Sequence, residues 1–167
     1  IGYTPLVSIG DFVWEDMNFN GIQDNSEPGI ADVKVSLYRK NGSLYASQIT
    51  DNQGKYMFTD IPANSYYLSF QALQDYQVTF SNPAFNALNS KADASGKTAT
   101  FSITNGKNSD LDAGLYRSGS ISGLVWEDMD GDGSNEAGND GILQGILVEI
   151  SGEDGQGISF MAQTVTD

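Results

Sequence analysis

Asp16-Met17-Asn18-Phe19-Asn20-Gly21-Ile22-Gln23-Asp24-Asn25-Ser26-Glu27 is the stretch on which the reading of this chain turns. Counted from Asp16, oxygen-bearing side chains fall at positions 1, 3, 5, 9 and 12, with glycine at 6. That spacing lets a twelve-residue loop wrap a calcium ion. Position 7 offers its backbone carbonyl and position 12 a two-oxygen carboxylate. The candidate ligands are therefore the side chains of Asp16, Asn18, Asn20, Asp24 and Glu27, with the carbonyl of Ile22. A solvated acidic turn is the plainer alternative, but six constrained positions match in one window.

The loop recurs. Ile9–Val13 and Trp14-Glu15-Asp16-Met17 reappear as Ile121–Val125 and Trp126-Glu127-Asp128-Met129, 112 residues on. In the second copy Asp128, Asp130, Asp132, Gly133 and Glu136 fill positions 1, 3, 5, 6 and 9, Ser134 takes the carbonyl position, and Asn139 falls at 12. An asparagine cannot supply a bidentate carboxylate. Asp140 stands beside it and substitutes if the loop shifts by one residue. Ligand count and charge set affinity, so this site is expected to bind calcium with altered strength or geometry.

The flanks are not helices. Ser8-Ile9-Gly10-Asp11-Phe12-Val13-Trp14 is too rich in glycine, β-branched and aromatic residues. Downstream, Val33, Val35 and Leu37 alternate with Lys34, Ser36 and Tyr38, the period of a strand. An ion would thus clamp a strand-to-strand crossover.

Working outward, strands are expected at about 8–14, 30–39, 44–50, 55–59, 66–71, 77–80, 98–103 and 112–116, with Lys40-Asn41-Gly42 as a hairpin turn. Seven to nine short strands so spaced indicate an all-β, Ig-like sandwich. Its expected core is Val13, Trp14, Val33, Val35, Leu37, Tyr56, Phe58, Leu68, Phe70, Phe101 and Ile103. Trp14 is more readily a core residue than a ligand platform.

Composition narrows the class. Nineteen glycines and many Asn, Asp and Ser turns suit short strands. No stretch approaches the roughly 20 apolar residues of a membrane span. The absence of an initiator Met leads to the expectation of a segment from a longer secreted polypeptide. With no cysteine, metal is left to staple the fold. Residues 1–116 hold 12 acids and 7 bases, net −5, and residues 117–167 hold 10 acids and 1 base, net −9. The whole, at −14, argues against nucleic acid and anionic lipid as partners. Without His or Cys, serine triads, thiol nucleophiles and imidazole bases are absent. The dense carboxylates already fit metal spacing, so an enzyme is not expected.

Gly10-Asp11-Phe12-Val13-Trp14-Glu15-Asp16, the Asn18/Asn20/Gly21/Gln23/Asp24/Glu27/Gly29 series, Gly54-Lys55-Tyr56-Met57-Phe58, Tyr66-Tyr67-Leu68-Ser69-Phe70 and Leu111-Asp112-Ala113-Gly114-Leu115-Tyr116 together resemble one B-type repeat of bacterial serine–aspartate-repeat surface proteins, the SdrD B-like domain. The resemblance covers residues 8–116 nearly end to end. It implies a calcium-stiffened, prealbumin- or Ig-like module strung in tandem as an extracellular adhesin stalk at the cell wall, with neighbouring repeats of the same polypeptide as partners. It further implies ions near later Asp-rich loops, around Asp93 or Asp112. Related collagen-adhesin modules carry a Lys–Asn or Lys–Asp isopeptide bond. Here Ser8–Trp14 has no lysine and Tyr66–Ala72 no glutamate, so metal is expected to supply the rigidity.

The expected organisation is a linker at 1–7, a full repeat at 8–116, a linker at 117–120 and the N-terminal part of a second repeat at 121–167. About 50 residues cannot close such a core alone. Its remaining strands are expected from further polypeptide or from another chain added at an exposed sheet edge. The joint Arg117-Ser118-Gly119-Ser120 is expected to stiffen with calcium. A ligand-binding module for carbohydrate or host protein is the competing function, using exposed aromatics such as Tyr3, Phe19, Tyr45, Tyr67 or Tyr76.

Overall fold

The computed structural model describes residues 5–82, 88–136, 138, 140–154 and 157–167. They are all β, with no helix among them. The chain divides into two compact units, Ile1–Ser118 and Gly119–Asp167.

In the first unit the expected opening strand is two strands, β1 (Leu6–Ile9) and β2 (Val13–Glu15). The break falls at Gly10, where a Cβ would lie 2.3 Å from the Tyr56 carbonyl oxygen, so no side chain fits. The break lets one segment serve two sheets. β1 pairs antiparallel with β5 (Phe58–Pro62) and parallel with β9 (Lys107–Asn108). β2 pairs parallel with β10 (Ala113–Arg117), which is antiparallel to β7 (Tyr76–Val78).

Facing these lies a four-stranded antiparallel sheet ordered β4 (Leu44–Ile49), β3 (Lys34–Arg39), β6 (Asn64–Gln71), β8 (Phe101–Ile103). Its register sets Val35 opposite Phe70 and Leu37 opposite Leu68, so one face is uniformly apolar. That face joins Val7, Ile9, Val13, Phe58, Ile61, Ala113 and Leu115 from the smaller sheets in one buried cluster. Trp14 is fully buried beside them. The result is a sandwich, as the sequence predicts. Of the expected core, Phe101 alone is only half-buried.

The described residues of the second unit hold four strands in two antiparallel pairs: β11 (Trp126–Glu127) with β12 (Gly141–Ile142), and β13 (Leu147–Glu153) with β14 (Ser159–Val165). Most of its large apolar side chains are exposed, including Ile146, Leu147, Val148, Phe160 and Met161.

Candidate metal centre

The first loop leaves β2 with its opening carboxylate already buried. Asp16 is 2% exposed. Its Oδ1 accepts the Asn20 N–H at 3.1 Å, and its Oδ2 accepts the Gly21 N–H at 2.9 Å and the Thr79 hydroxyl at 2.6 Å. Its own N–H donates to the Leu115 carbonyl at 2.8 Å, which ties the loop to β10. Gly21 turns the chain at φ 72°, and a side chain there would strike the Phe80 carbonyl oxygen at 2.6 Å.

From that turn the loop winds by Asx turns. Asn18 Oδ1 accepts the Asn20 N–H at 3.1 Å, and Asn20 Oδ1 accepts the Ile22 N–H at 2.8 Å. The Asn18 and Asn20 side-chain amides both donate to Asp24 Oδ2, at 2.9 and 3.0 Å. Glu27 closes the loop across both ends: Oε1 accepts the Met17 N–H and Oε2 the Asp24 N–H, each at 2.9 Å. The loop's own chain thus brings Asp16, Asn18, Asn20, Asp24 and Glu27 together. Burial pushes the Glu27 carboxyl up, the two backbone N–H donors pull it down, and the charges of Asp16 and Asp24 push it up again. A cation would relieve that repulsion and compete with the two amides for Asp24. The donor set, hard oxygens throughout, fits calcium.

The second loop repeats this wiring. Gly133 N–H donates to Asp128 Oδ2 at 3.0 Å, Asp132 N–H to Asp130 Oδ1 at 3.3 Å, and Ser134 N–H to Asp132 Oδ1 at 2.7 Å. Asp140 does what Glu27 does: Oδ1 accepts the Met129 N–H at 3.1 Å and Oδ2 the Glu136 N–H at 2.9 Å. Asp140 follows Asp128 by 12 residues where Glu27 follows Asp16 by 11. One added residue makes up for an acid one methylene shorter. Asn139, at the position counted from the motif, lies outside the described residues. Carboxylate oxygens of Asp128, Asp130 and Asp140 lie within 4.8 Å of one another, and so do those of Asp130, Asp132 and Glu136. A cluster of acids that close, and largely exposed, again suits a hard dication.

One feature of the first loop escaped the sequence, and one of the second showed there only in part. Thr79 is fully buried and lies 63 residues from its partner Asp16, with no local pattern to mark it. Asp140 was visible only as a one-residue shift.

The described aromatic candidates for ligand binding are engaged within the fold. Phe19 packs on Phe80 and Tyr116, and Tyr67 stacks on Tyr38 at 5.1 Å. Tyr45 and Tyr76 each lie under an arginine, Arg39 and Arg117, at 4.6 Å. Tyr3 lies outside the described residues.

Comparison with known proteins places this chain. Serine-aspartate repeat-containing protein D of Staphylococcus aureus (strain Newman) is 36% identical over 156 residues, covering 92% of this chain and 12% of that protein. Serine-aspartate repeat-containing protein F of Staphylococcus epidermidis is 36% identical over 167 residues, covering 99% of this chain and 10% of that protein. The chain thus spans about a tenth of the length of these curated relatives. Among solved structures, GBS52, the minor pilin of Streptococcus agalactiae, aligns with a TM-score of 0.48 at 12% identity, over 71% of this chain and 48% of that one. A sequence model of the SdrD B-like domain matches residues 7–115, well over half of the chain. The chain belongs to the SdrD B-like domain family.

Proposed function

We propose that this chain is a calcium-stiffened spacer in the stalk of a bacterial cell-surface adhesin, acting outside the cell in series with neighbouring repeats of the same polypeptide. It is not an enzyme; its family is one of structural domains. The observation that carries the calcium reading is the closing acid of each loop. Glu27 and Asp140 bridge equivalent backbone N–H pairs, so each loop is drawn shut across its own ends, and in the second the acid oxygens lie close together. In the first unit the loop is also fastened to β10 through Asp16. Ion binding would therefore stiffen the sheet and not the loop alone. The intramolecular engagement of Phe19, Tyr45, Tyr67 and Tyr76 favours a spacer over a ligand-binding module.

Calcium that binds only the folded state adds about 2.7 kcal/mol at a hundredfold excess over Kd. The melting temperature should rise with millimolar calcium and fall with chelator. A melting curve indifferent to both would end the metal reading.

A further inference from the structure

Asparagine is among the chemically labile side chains of a protein. It is most labile before glycine, where no Cβ hinders the approach of the next backbone nitrogen to the side-chain amide carbon. The sequence holds three such pairs, Asn20-Gly21, Asn41-Gly42 and Asn105-Gly106. The state of the glycine N–H separates them. Gly21 N–H donates to the buried Asp16 Oδ2 at 2.9 Å. The Asn20 side chain is held at both ends, its amide by Asp24 at 3.0 Å and its Oδ1 by the Ile22 N–H at 2.8 Å. Gly42 N–H donates to the Arg39 carbonyl at 2.8 Å, and Asn41 Oδ1 accepts the Ser43 N–H and hydroxyl at 3.0 and 2.8 Å. At the third pair neither the Asn105 side chain nor the Gly106 N–H has a hydrogen-bond partner among the described residues. Asn105 is exposed, and a Cβ on Gly106 would meet nothing within 4 Å.

We propose that Asn105-Gly106 is a site of spontaneous deamidation in the folded module, and that the fold shields the other two pairs. The Gly106 nitrogen, on losing its proton, forms a bond to Asn105 Cγ. The Cγ–Nδ2 bond breaks, and ammonia leaves with that proton. Water then opens the cyclic imide at one of its two carbonyls. One opening gives aspartate, and the other gives isoaspartate, whose main chain runs through Cγ and is one methylene longer. Water is the only reagent consumed, and nothing is oxidised or reduced.

The same turn holds β1. The Gly106 carbonyl accepts the Ser8 N–H at 3.0 Å and the Asn108 carbonyl the Gly10 N–H at 3.1 Å, on either side of the parallel register that sets Ser8 opposite Lys107. A main chain lengthened just before Gly106 would disturb that register. The reaction would therefore mark the age of the module and loosen β1 from β9.

The test is peptide mapping by mass spectrometry of the whole chain, held for days at mildly alkaline pH in saturating calcium, both folded and in denaturant. In the folded chain Asn105 should convert several-fold faster than Asn41 or Asn20. In denaturant, where the three pairs differ little in chemistry, the rates should draw level. An intact Asn105, or equal conversion of the three pairs in the folded chain, would overturn the proposal. The isoaspartate form should melt below the fresh parent. Asn105→Gln, whose longer amide closes such a ring far more slowly, should keep its melting temperature through the same incubation. An aged parent with Asn105 converted and an unchanged melting temperature would overturn the loosening of β1.

Discussion

Val33 and Val35 are fully buried in the first unit, while their counterparts Ile146 and Val148 in the second are 38% and 39% exposed. Around these residues the backbone wiring is the same. Thr50 Oγ1 donates to the Ile30 carbonyl and accepts the Val33 N–H. Thr166 Oγ1 donates to the Leu143 carbonyl and accepts the Ile146 N–H. Even the positive φ of Asp32, 63°, recurs at Gly145, 75°. In the first unit the face bearing Val33 and Val35 is covered by the smaller sheets of β1, β5 and β9 and of β2, β7 and β10; among the described residues of the second unit no strands correspond to β5–β10. Local sequence therefore writes turns and hydrogen bonds, whereas burial is conferred by strands far along the chain. The loops show the same division. Asp16 is buried under Thr79 and tied to Leu115, whereas Asp128, with the same loop around it, is exposed.

Matched substitutions measure how far the two units differ in burial. Trp14→Ala should cost about 3–5 kcal/mol, the range for emptying a packed aromatic site. The half-buried Trp126, changed likewise, should cost under about 1 kcal/mol. Denaturant unfolding followed by circular dichroism would measure both, and similar losses would show that burial in the first unit contributes little. Thr50→Val should cost roughly 1–3 kcal/mol, because it strands the buried Val33 N–H and Ile30 carbonyl. Thr166→Val, at a more open site, should cost less in the same assay.

The exchange of Asp32→Gly with Gly145→Asp sharpens the comparison. Aspartate tolerates the left-handed region, so each change should stay within about 1 kcal/mol. A larger loss at either site would mean that the two turns differ. Acid should act more on the first loop than on the second. Burial raises Glu27, so a proton should compete with calcium there at a higher pH than for an ordinary glutamate. Calcium affinity measured as pH is lowered should fall first at the Glu27 site.

Much of this was legible in the sequence. The period-2 alternation of Val33, Val35 and Leu37 gives β3 and its inner face, and ten of the eleven expected core residues are buried. Alternate oxygens around Gly21 mark a loop in which the Asn18 and Asn20 side chains meet Asp24. Illegible were contacts made by distance or by length. The split at Gly10 depends on the approach of Tyr56, the parallel pairing of β1 with β9 and of β2 with β10 on long-range closure, and the hold on Asp16 on Thr79. The role of Asp140 was half legible: fixed counting from Asp128 passes over it, and a one-residue shift recovers it.

Each of the two loops closes on one acid. Calorimetric titration of the whole chain with calcium tests this most directly, in the parent and in Glu27→Gln, Asp140→Asn and Asp32→Ala. Binding is expected at both loops in the parent, with the first tighter because Asp16 is held in place beforehand. Glu27→Gln should weaken the first site more than tenfold and Asp140→Asn the second, a loss of more than about 1.4 kcal/mol each, while Asp32→Ala leaves both intact. A parent that takes up no calcium, or a Glu27→Gln isotherm that matches that of Asp32→Ala, would contradict it.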